Sequence, residues 1–101
     1  TTEQEIQLIS VYFNMLHKQE NNEKFVKSHI VAGLAEKQNR SRGSIEAKFM
    51  NISAIADKHG FKIVKGYKAL ANYGKSLEVN FSQFVQMHLN HKIDYKLIKS
   101  A

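Results

Sequence analysis

The sequence predicts an all-α domain: a compact bundle of four to five helices with a helix-turn-helix-like variant and a long basic loop. Three observations predict it. Apolar residues recur three and four apart through most of the chain, no proline interrupts them, and the candidate breaks carry asparagine, serine and glycine. At 101 residues the chain is one domain by size and can bury a modest core without staples.

The first helix is expected over residues 3–18. Thr2-Glu3-Gln4-Glu5 has capping-box spacing, and Ile6, Ile9, Phe13 and Leu16 follow on one face. Asn21 and Asn22 break this helix and can cap the next, expected over residues 23–37 with Phe25 or Val26, Ile30, Val31 and Leu34 turned inward. The third helix starts at Ser41 or Gly43 and ends at Gly60, where a left-handed residue is commonly needed. Ile45, Phe49, Ile52 and Ala56 give it one narrow apolar stripe. The linker before it, residues 38–43, looks longer than the turn of a standard helix-turn-helix, hence the variant. A fourth helix is expected over residues 76–91, with Leu77, Phe81, Phe84, Val85 and Leu89 on its apolar side. Residues 61–74 read as a positioned loop; Phe61, Ile63 and Val64 are β-formers with no obvious partner strand. The tail from residue 94 adds a helical turn or leads into a further domain.

Charge is unevenly spread. Residues 37–75 hold nine basic side chains against two acids, a net of +7, and the remainder holds six lysines against seven acids, a net of −1. All the excess of a chain with net charge +6 therefore lies in one segment, as expected of an electrostatic footprint on nucleic acid. The absence of cysteine removes disulfides and thiolate zinc sites and fits a cytoplasmic setting. No apolar run reaches membrane-span length. The start at Thr1 suggests a fragment of a longer protein.

Within the basic segment, Arg40-Ser-Arg-Gly-Ser-Ile-Glu-Ala-Lys-Phe-Met-Asn-Ile-Ser-Ala54 joins a helix entrance rich in serine and arginine to an amphipathic helix. Serine hydroxyls, two guanidinium groups and the free N–H groups of the helix start suit a phosphate. Phosphate contacts are expected from Arg40, Ser41, Arg42, Lys48, Lys65, Lys68 and Lys75. Ser44, Ala47 and Asn51 lie away from the Ile45 stripe and are the expected base readers, since asparagine can pair with adenine and small residues allow close approach. The alternative is that Asn51 and Ser44 are local caps or core hydrogen-bonders. Tyr67 can stack on a base or anchor its loop on the core.

The same residues, followed by His59-Gly60 and by Gly66-Tyr67-Lys68, resemble N-terminal domains fused to nuclease modules in bacterial restriction systems, both HNH-type and modified-cytosine-dependent. The resemblance covers roughly residues 4–90 and is tightest over 40–68. It implies a target-recognition module for double-stranded DNA with a fused nuclease domain elsewhere. Ala69 stands where proline would be expected after Gly-Tyr-Lys, so that turn is less rigid here.

Catalytic and cofactor constellations are weak. Glu46-Ala47-Lys48 has the Glu-x-Lys half of a metal-dependent nuclease motif, but a helix turns residues two apart by about 200°, and no aspartate precedes Asp57. His88 and His91 could share a metal, yet no third ligand follows at convincing spacing. No enzyme activity, metal or cofactor is expected of this domain. The alternative reading is a protein-interaction module whose basic segment meets an acidic partner.

Overall fold

A computed structural model of the chain describes residues 1–89 and 95–100. It is all-α, as the periodicity predicts. Helices α1 (Thr2–Glu20), α2 (Lys27–Gln38), α3 (Arg42–Lys58) and α4 (Lys75–Phe84) are followed by a π-helical turn (Val85–Leu89) and by the short α5 (Tyr95–Ile98). Helix α1 packs on α3, α4 and α5, while α2 packs on α3. The fourth helix thus keeps its expected start, but the α-helical part ends at Phe84; its expected last residues, 90 and 91, lie outside the described residues. No described helix is long and apolar enough to cross a membrane.

The capping box forms one residue earlier than the spacing of Thr2 and Glu5 predicts. Thr1 accepts from the Gln4 N–H at 3.2 Å, and the Gln4 side chain reaches back to the Thr1 amine. The shift releases Glu5 for tertiary work. Its carboxylate accepts from Asn80 Nδ2 at 2.8 Å and Ser76 Oγ at 3.4 Å, both on α4, and lies 3.7 Å from Lys48 on α3.

Helix α2 starts at Lys27, four residues later than expected. Asn21 caps α1 and Asn22 takes a left-handed φ of 57°, so the chain must recover through residues 23–26 before it can coil again. Phe25 is left half-buried and Val26 is 52% exposed. The α2–α3 linker is shorter than expected: Asn39, Arg40 and Ser41 alone connect the two helices. Asn39 does this with a left-handed φ of 53°, letting the Arg40 N–H return to Ala35 O at 2.9 Å. Gly60 ends α3 in the same way, with φ of 83° and the Phe61 N–H returning to Ala56 O at 2.8 Å.

The β-formers after Gly60 do find a partner. Phe61 makes an isolated antiparallel bridge with Lys99, flanked by Lys62 N–H to Ile98 O and Ser100 N–H to Gly60 O, both 2.8 Å. The partner lies almost forty residues away in the sequence, which is why local pattern could not name it.

Aromatic rings fill the core. Phe13 sits within 5.3 to 5.5 Å of Phe61, Phe81 and Phe84 by ring centroid, with Tyr12 at 6.3 Å. The buried Tyr12 hydroxyl accepts the Val64 N–H at 3.0 Å and shares a hydrogen bond of 2.7 Å with Ser53 Oγ, which either hydroxyl can donate. Burial pushes its pKa up against the opposing effect of the Ser53 and Val64 bonds. Tyr12→Phe is expected to leave both partners buried and unpaired, at a cost of about 1–3 kcal/mol in urea unfolding. A cost below about 0.5 kcal/mol would mean that water replaces the hydroxyl there.

Candidate nucleic-acid interface

The α3 entrance assembles as its residue types predict. Ser41 is the N-cap, its hydroxyl accepting the Ser44 N–H at 3.1 Å. Arg40 donates its Nε–H to Ser44 Oγ at 3.0 Å, which holds the guanidinium plane over the first turn and leaves its terminal NH2 groups for a ligand. Arg42 and Gly43 are exposed beside it. Ser44 thereby becomes the support of Arg40 and not an independent base reader.

Arg42 also lines a cleft of about 400 Å³ with Lys27, Ser28, Val31, Glu46, Gly66 and Tyr67. It is where the two helix starts meet the turn of the basic loop. Lys27 closes the cleft, donating to Lys65 O at 2.6 Å with its ammonium 5.2 Å from the centre of the Tyr67 ring. Gly66 is required here by its φ of 91°, and the Lys27 ammonium takes the space where a Cβ would stand. Sequence reasoning missed Lys27, because it belongs to the charge-balanced part of the chain and joins the basic segment only through the fold.

Helix α3 itself is a core helix. Ile45, Phe49, Asn51, Ile52, Ser53, Ile55 and Ala56 are buried, so more than one stripe is covered. Segment 67–74 lies on the flank that was expected to read bases. Asn51, 7% exposed, donates both amide hydrogens to that segment, to Leu70 O at 2.7 Å and Asn72 O at 3.2 Å, and Leu70 N–H donates to Met50 O at 3.0 Å. Asn51 is a structural clamp, and its assignment as a base reader is corrected. Tyr67 is corrected with it: the ring is buried and packs 5.2 Å from that of Phe49. Burial, with the charge of Glu46 second, raises the Tyr67 pKa, so the phenol stays a neutral donor. Ala47 is half-buried.

The fold also sorts the cations. Lys48 is held near Glu5, Lys58 pairs with Glu78 at 3.0 Å, and Lys62 pairs with Glu20 at 2.9 Å. Lys48 therefore leaves the expected phosphate set. Lys37, Arg40, Arg42, Lys65, Lys68 and Lys75 have no ion pair among the described residues. Glu78 also accepts from His59 at 3.0 Å; that bond and the one from Lys58 lower the Glu78 pKa. His88 packs its ring 4.8 Å from Phe84, and His91 lies outside the described residues. Glu46 faces the cleft while Lys48 reaches toward α1, which keeps the two halves of the Glu-x-Lys pair apart. Comparison with family models, with curated proteins and with solved structures finds no match to this chain.

Proposed function

We propose that this domain binds double-stranded DNA through the surface made by the α3 entrance and the loop lying along α3, as the target-recognition part of a restriction-type endonuclease with its nuclease in another domain. One observation carries the reading. Of the nine basic residues in 37–75, three are paired with Glu5, Glu20 and Glu78, while the six without an ion pair among the described residues belong to the end of α2, the α3 entrance, the loop and the α4 start. Unpaired cations retain their attraction for a phosphate backbone. Arg40, Ser41, Arg42, Lys65, Lys68 and Lys75 hold phosphates in this reading. Direct base contact falls to the exposed loop residues 69–72.

The test is binding of a labelled duplex as salt is raised. With about five phosphate contacts, log affinity should fall against log salt with a slope near −4.5. Arg42→Ala is expected to weaken binding to every duplex by a similar factor and reduce the slope by about one unit. No duplex binding at low salt, with retention on an acidic polypeptide, would move the reading to an acidic protein partner.

A further inference from the structure

Leu70 is 42% exposed, yet its backbone is among the most tightly held in the loop. Its N–H is fixed by Met50 O at 3.0 Å and its C=O by Asn51 Nδ2 at 2.7 Å, two consecutive residues of the core helix α3. Asn51 fixes Asn72 as well, at 3.2 Å. An apolar side chain on a mobile loop tip would fold down onto the protein; one anchored at both backbone groups stays outside. Ala69 and Ala71, both exposed, flank it without bulk. The result is a partly exposed leucine on a held backbone, with only methyl side chains beside it in the chain.

Its charge surroundings favour one occupant. Exposed Lys65 and Lys68 precede this stretch and exposed Lys75 follows it, while the middle, residues 69–72, carries no charge. Cations before and after an uncharged stretch of chain can hold phosphates while that stretch meets the bases. The minor groove is about 6 Å wide, too narrow for a helix of about 10–12 Å but open to an extended chain with methyl side chains. Helix α3 cannot serve the major groove along its length, because the loop and core cover it.

We infer that segment 69–72 enters the minor groove and that Leu70 wedges between two base pairs, unstacking them and bending the duplex toward the major groove. Apolar wedges flanked by phosphate-binding cations act in this way. Proteins with the side chain on a yielding loop would not, since the loop would give before the base stack did; the Asn51 clamp supplies the stiffness. This inference rests on the DNA-binding reading above.

The experiment uses the whole domain and a duplex of about 20 base pairs, labelled at its ends for energy transfer, with 2-aminopurine placed at successive positions across it. The ends are expected to approach, by a bend of about 20–90°, and 2-aminopurine fluorescence to rise at one step. Leu70→Ala should abolish both signals while keeping the salt slope and changing affinity by less than about tenfold; Leu70→Phe should restore them. Thermal melting of both variants should match the parent, as the side chain is exposed. Salt-dependent binding by the parent with neither bending nor unstacking overturns the wedge and leaves the DNA-binding reading intact. Absence of binding to any duplex overturns both and makes Leu70 a contact for an apolar pocket on a protein.

Discussion

Phe13→Ala is expected to cost about 3–5 kcal/mol of folding stability, the largest single effect in the domain. The ring is fully buried and touches Phe61, Phe81 and Phe84, so its removal opens a cavity between α1, α4 and the segment after α3. A domain of this size has only about 5–15 kcal/mol in total, so the variant stands near the edge of unfolding at ambient temperature. Urea unfolding followed by circular dichroism measures it. Phe13→Leu, which keeps most of the volume, should cost less than half as much. Equal and small losses for both would mean that the aromatic cluster is not the centre of the core.

The second large effect belongs to Asn51, and it separates a clamp from a base reader. Removing two hydrogen bonds from the buried Asn51 amide to the loop carbonyls costs about 2 kcal/mol, or a fall of about 10 °C in Tm for a domain of this length. Asn51→Asp should be worse than Asn51→Ala. A carboxylate has no hydrogen to donate and would face the Leu70 and Asn72 carbonyl oxygens with its own negative charge. On DNA, both variants release the loop that makes the base contacts, so the ratio between preferred and random sequences should fall together with Tm. A selective loss on one sequence, with Tm unchanged, would restore Asn51 as a base reader.

The reasons for these roles were partly legible in the sequence. Helix number and order, the left-handed Gly60 and the Ser41 cap follow from short-range rules, because capping groups and core stripes act within one or two turns. Expectation failed where another group or another backbone conformation competed. Thr1 took the cap that Thr2 was expected to provide, which handed Glu5 to α4. The second helix lost its first turn because Asn22 adopted a left-handed backbone and not a cap. Asparagine carries the same donors whether it faces adenine or a peptide carbonyl, so the chemistry of Asn51 was visible and its partner was not.

The amino-acid sequence by itself determined an all-α domain, the concentration of positive charge in residues 37–75, and an anion-suited entrance built from Arg40, Ser41 and Arg42. Each is a property of residue type and near-neighbour spacing. Only the tertiary structure decided which cations stay unpaired, that Lys27 joins the cleft, and that α3 is covered by the loop it holds. Those outcomes depend on contacts between residues tens of positions apart, such as Lys62 with Glu20 and Lys27 with Lys65. An ion pair or a buried amide bond forms wherever packing brings the partners within about 3 Å, and no local periodicity encodes that distance.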